Sequence, residues 1–136
     1  MAYWRRYAPE RIDTFSQAQL AAAYFYSGDR VAAREILPTS FAVELFPRES
    51  GGNFNSTLRS DAIILGVLAD VDPHHPAVYQ LVNRITAARE KGRWLTTQEN
   101  AFALMALGKI LKEKSDGEYV GEIYVGAKKI ADFDSR

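Results

Sequence analysis

Three stretches of this sequence are apolar around almost the whole circumference of a helix, and they begin near Phe15, Leu58 and Thr97. Their starts recur at roughly 40 residues, the period of a helical-hairpin repeat. The three cores are alike. Gln19-Leu20-Ala21-Ala22, Asp61-Ala62-Ile63-Ile64 and Asn100-Ala101-Phe102-Ala103 each set a polar residue ahead of small and large apolar ones. A helix without a wide polar face has to be covered on nearly all sides. Two amphipathic helices alternate with these three. Asp29 opens a short one through Val31, Ala32, Ile36 and Leu37, stopped by Pro38. Pro76 to Glu90 carries Val78, Leu81, Val82, Ile85 and Ala88 along one face, with Pro76 at the helix start. The alternation of buried and half-exposed helices predicts a mainly α chain, a partial α/α toroid of two-layer helical hairpins. An open solenoid is the same pattern without the closure.

The sharpest local signal is Thr96-Thr97-Gln98-Glu99, a capping box. The Thr96 hydroxyl can accept the Glu99 backbone N–H while the Glu99 side chain reaches back. The helix it starts should end near Ser115-Asp116-Gly117, after lysines suited to a C-terminal dipole. Two stretches leave the helical pattern. Thr39 to Thr57 alternates around Pro47 and Gly51-Gly52 and reads as a short β-hairpin or long loop. Tyr119 to Ala131 reads as a two-stranded hairpin turning near Gly126-Ala127. A lone hairpin is marginal in water, so this one either packs on the helices or begins a β-domain. The expected organisation is a helical domain over 1–117, an insertion at about 39–57, and a strand tail over 118–136.

Composition narrows the function classes. Lys+Arg 17 balance Asp+Glu 17, so there is no positive surplus to displace counterions from nucleic acid. The nearest basic run, Trp4-Arg5-Arg6, reads as a solvated terminus. With no cysteine among 136 residues, disulfides, thiolate metal sites and thiol nucleophiles are excluded. No apolar run approaches the ~20 residues that span a bilayer, and the first residues lack the apolar stretch of a signal peptide.

Candidate sites are few. Adjacent His74 and His75 invite a metal reading, but neighbouring residues point apart and a turn before a helix accounts for them better. Asp61, Asp70 and Glu99 could form paired carboxylates. Capping or inter-helix hydrogen bonding is the plainer role for Asp61 and for Asn100. Gly51-Gly52 lacks the helix start that phosphate binding uses. Asn55-Ser56-Thr57 matches a glycosylation sequon, a pattern common by chance. Trp94 should fill the gap between an outer and an inner helix. No catalytic residue, cofactor or metal is expected.

The block from Gly92-Arg93-Trp94 through Thr96, Thr97, Gln98, Glu99 and Asn100 to Leu104 resembles the closing helices of the thioester-containing domain of bacterial alpha-macroglobulins, protease-trapping relatives of complement proteins. Ser60 to Pro76 fits the hairpin before it, and Tyr119 to Gly126 resembles the strands that leave the toroid for a β-sandwich. The likeness covers roughly Ser56 to Asp134. It implies a non-catalytic scaffold fragment of an endopeptidase inhibitor, in a periplasmic or membrane-anchored host-defence protein. Its partners would be the rest of that parent and, through it, proteases. The family's Cys–Gln thioester cannot lie here, because the chain has no cysteine. Two other readings compete. A terpenoid-cyclase or prenyltransferase-like toroid enzyme also uses Gly-x-Trp but needs an acidic cluster or zinc. A stand-alone helical-repeat module would bind protein on its concave face. In isolation the open apolar flanks should favour self-association.

Overall fold

The computed structural model describes residues 12–41, 55–114 and 120–134. Five helices appear there: α1 (Thr14–Tyr26), α2 (Arg30–Ile36), α3 (Thr57–Val71), α4 (Ala77–Ala87) and α5 (Thr97–Lys114). An antiparallel hairpin follows, β1 (Val120–Val125) and β2 (Lys128–Asp134). The protein is mainly α with a C-terminal β-hairpin. Among the described residues no helix is long and apolar enough to cross a membrane.

Local chemistry sets each boundary. Asp13 caps α1 by accepting the Ser16 N–H at 2.8 Å. At the other end Gly28 takes φ +94°, which a side chain would resist. Its N–H donates to the Phe25 carbonyl, and the Asp29 N–H donates to the Tyr24 carbonyl. That closes α1 in a Schellman turn. Asp29 then caps α2 by accepting from Ala32. Ser56 caps α3 by accepting from Arg59. The α5 capping box forms as expected, with Glu99 N–H to Thr96 Oγ1 at 3.1 Å and Thr96 N–H to Glu99 Oε2 at 3.0 Å.

The Asp13 cap yields a pH-dependent prediction. The Ser16 N–H holds its carboxyl below the ordinary value of 3.8. Stability from a depressed carboxyl is present above the unfolded value and lost as pH falls through the folded one. Asp13→Ala should therefore cost about 1 kcal/mol at neutral pH. The difference between variant and parent in urea titrations should shrink in acid, down to what a neutral cap contributes once both states are protonated.

The helices pack in two layers. In one, α3 lies between α1 and α5; in the other, α2 packs on α1 and α4 on α3. The order of ties shows α3 and α5 to be parallel. Ser56 meets Glu99 at their N-terminal ends, Gly66 faces Ala106 in the middle, and Asp70 meets Lys109 further along. Tyr26, at the C-terminal end of α1, reaches the same rim through Asp70. By contrast α4 runs antiparallel to α3, its Arg84 near the end of α4 binding Asp61 near the start of α3. One continuous core results, with Leu65, Leu68, Leu81 and Ile85 its largest fully buried apolar side chains.

Two expectations change. Burial on nearly all sides holds for α3, which buries nine residues, but not for α1 or α5. On α5, Leu104 and Met105 are each 63% exposed and Leu111 is 68% exposed; Tyr26 on α1 is 68% exposed. The reason is position: α3 has neighbours on both sides, whereas α1 and α5 flank it. Next, α4 ends at Ala87, because Lys91 (φ 49°) and Gly92 (φ 83°) form a tight turn bridged by Glu90 and Arg93. The insertion at about 39–57 gives way to α3 at Thr57. Its residues 42–54, the ending at Ser115-Asp116-Gly117 and the run Trp4-Arg5-Arg6 lie outside the described residues.

The tail forms the expected hairpin, turning at Gly126 (φ 63°). Lys129 bridges Glu122 and Asp132, each at 2.5 Å, and Tyr124 donates to Glu122 at 2.7 Å. Ile130 is an extra residue in the ladder, since Ile123 pairs with Ala131 and Tyr124 with Lys129. The strands pack on each other and not appreciably on any helix.

Candidate functional site

Two regions concentrate the side chains singled out by the sequence. The first is the junction of α4 and α5. Trp94 is buried, and its Nε1–H donates to the Ile85 carbonyl at 2.7 Å. In the last turn of α4 that carbonyl has no helical donor of its own, so the indole caps the helix as well as filling space. The Arg89 guanidinium lies 5.6 Å from the ring centroid and donates to the Gly92 carbonyl, which closes the turn over the indole. From α5, Asn100 donates to the carbonyls of Trp94 (2.7 Å) and Thr96 (2.6 Å) and accepts the Trp94 N–H. Glu99 is only 1% exposed and also accepts the Ser56 hydroxyl at 2.9 Å. One carboxyl thereby joins the N-terminal caps of α3 and α5. Thr96 caps, Thr97 is the exposed first helical residue, and Gln98 is half-buried. Trp94, Thr96, Glu99 and Asn100 come together as a structural staple.

The second region is a groove of about 150 Å³ between α1, α3 and α5. Small residues (Ala22, Ala62, Gly66, Ala106) form its floor, with Phe102 and Met105 beside them. At one end Asp70 accepts from the Tyr26 hydroxyl and pairs with Lys109 at 2.5 Å. These three residues stand on three successive helices of one layer, 44 and 39 residues apart. The hydrogen bond to Asp70, with burial, raises the Tyr26 hydroxyl above its ordinary value of 10.0. For Lys109 burial pulls downward, but Asp70 and then Tyr26 outweigh it and leave the amine above 10.5.

A raised folded value means stability that is complete below the unfolded value and lost as pH climbs through the folded one. The tie should hold at neutral pH and fail in alkali, starting from about pH 10. Because the groups are part-exposed, solvent screening limits the effect to about 1 kcal/mol. Melting temperatures of the parent should fall more steeply through that window than those of Asp70→Asn.

The carboxylates do not converge on one site. Asp70 closes the groove, Glu99 joins two caps, and Asp61 binds Arg84 through both oxygens, at 3.0 and 2.5 Å. Burial pushes the Asp61 carboxyl up, against the downward pull of Arg84. His75 sits before α4, accepting the Ala77 N–H at Nδ1, which leaves Nε2 to donate to the Pro38 carbonyl at 3.1 Å. His74 is exposed beside it. Among the described residues no group of three or more potential ligands could hold a metal ion. Gly51-Gly52 lies outside the described residues, and Asn55 of the sequon is half-buried, accepting from Ser60.

Sequence reasoning missed Ser56, Arg89, Tyr26 and Lys109. A signal existed for the first, since Ser56 is a capping-type residue just ahead of the helical segment read from Leu58. No family model matches the chain, and neither a curated protein nor a solved structure matches it.

Proposed function

We propose that this chain is a non-catalytic scaffold segment of an alpha-macroglobulin-like endopeptidase inhibitor, part of the α/α toroid of its thioester domain. The observation that carries the reading is the staple at Trp94, Glu99 and Asn100, built from the residues of the family-like block. The parallel ties between successive helices of one layer fit an inner ring, with α2 and α4 as outer helices. The self-standing hairpin fits strands that lead on into a β-sandwich. In this reading the described residues supply shape rather than chemistry, and the parent acts in the periplasm or on a membrane anchor.

Sequencing the source DNA on both sides of the segment tests this. An upstream Cys-x-Glu-Gln within one open reading frame supports a thioester protease trap, which can then be assayed for protease capture. Stop codons close by on each side would sink the reading. The groove under Tyr26, Asp70 and Lys109 favours one alternative in that case, a free-standing helical module that binds a peptide on its concave face.

A further inference from the structure

Helix α4 begins without the cap that a serine or aspartate gives. Pro76 stands at its N-cap position and has no side-chain oxygen to accept an N–H of the first turn. His75, one residue earlier, supplies the acceptor, its Nδ1 taking the Ala77 N–H at 3.1 Å. The other ring nitrogen then carries the proton and donates to the Pro38 carbonyl at 3.1 Å. Pro38 lies just past the end of α2, so the imidazole links the end of one outer helix to the start of the other. Those two helices make little or no contact of their own. The ring is buried, in a T-shaped contact with Phe41.

This bridge suits one protonation state. A neutral imidazole offers one acceptor and one donor, and both are in use here; a doubly protonated ring has two donors and no acceptor. A second proton would set an N–H at Nδ1 against the Ala77 N–H, at the positive end of the α4 dipole. Turning the ring over brings no relief, because a carbon would then face each partner. Of the charged groups that line the same cleft, Arg34 of α2 and His74 are basic and Asp72 is acidic, so no surplus of carboxylates makes up for the lost acceptor. The segment from Pro38 to Phe41 brings no titratable side chain, and the first turn of α4 brings only the exposed Tyr79.

We infer that the His75 bridge is a latch between the two outer helices that acid releases. Imidazoles take up a proton between about pH 8 and pH 5. Above that window the bridge holds the end of α2 to the start of α4. As the pH falls through it, the Ala77 donor loses its acceptor and the link opens. The inner-layer ties at Asp70 and Glu99 involve no histidine and stay closed. The latch belongs to the chain itself and stands whichever reading of its function holds.

The chain has only two histidines, so nitrogen NMR can follow each ring in the unmodified protein. At neutral pH His75 should be protonated at Nε2 and bare at Nδ1; the opposite tautomer would overturn the inference. The second measurement is exchange of the Ala77 amide with solvent, divided by its intrinsic rate at each pH. Between about pH 7.5 and pH 5 this ratio should rise at least about tenfold, while amides in the middle of α3 keep their protection. His75→Asn retains an oxygen for the Ala77 N–H but cannot titrate, and should abolish the rise. His74→Gln should leave it intact. An Ala77 amide equally protected at both ends of the window, a rise that persists in His75→Asn, or one shared by the middle of α3 would overturn the latch.

Discussion

Trp94→Ala should lower stability by about 3–5 kcal/mol, the largest loss expected from any substitution considered for this protein. Three effects add. The indole is 5% exposed, so its removal leaves a cavity between α4 and α5. The Ile85 carbonyl loses its 2.7 Å donor at the end of α4. The Arg89 guanidinium loses the ring beneath it. Trp94→Phe separates the first effect from the second in large part, because it keeps most of the volume and removes the N–H. It should cost about 1–2 kcal/mol. Urea titrations followed by circular dichroism measure both. If the alanine variant lost less than the phenylalanine one is expected to lose, the indole would not be pinning the junction.

Glu99→Ala should come second, at about 2–4 kcal/mol. Its carboxyl serves two helices at once, so truncation removes the α5 capping box and strips the Ser56 hydroxyl of its acceptor. Ordinary cap removals cost less because the freed groups turn to water. This carboxyl is almost wholly enclosed. Glu99→Gln can still accept from the Thr96 N–H while its amide donates to Ser56, and should cost about 1 kcal/mol. Equal losses in the two variants would mean that shape, not the paired acceptor, matters at this position.

Much of the helical framework was legible because the signals are local. Gly28 ends α1, Asp29 opens α2, and Thr96 with Glu99 opens α5, each through groups within a few residues of one another. The role of Trp94 as a filler between helices was legible too, since an indole between two helices has few other places to go. Spacing also carried over in part. The step of 39 residues from Asp70 to Lys109 equals the step from Asp61 to Asn100 in the matching sequence cores. From α1 to α3 the ladder runs 44 residues, two more than the cores suggest.

What was illegible depends on partners distant in sequence. Asp61 carries no sign that Arg84 will bind both its oxygens, since that follows from how α4 folds back. Tyr26, Asp70 and Lys109 lie on separate helices and look unrelated until those helices share a rim. An apolar circumference states that α5 seeks cover, but not which face the chain itself covers. The short turn at Lys91-Gly92 was obscured by apolar spacing that continues to Ala88.

The arrangement of α3 has a consequence for how the molecule comes apart. It packs on α1, α4 and α5 and touches α2 as well, whereas among the described residues α1 packs mainly on α2 and α3, and α5 mainly on α3. Opening of either flank leaves α3 with its remaining neighbours, but α3 cannot open without undoing the whole helical body. Amide protons in the middle of α3 should therefore exchange only through global unfolding, and those of α1 and α5 through cheaper partial openings. Between α3 and α5 the ties join segments about one repeat apart, so neither flank has to wait for the far end of the helical body. Assembly can grow outward from α3 in either direction.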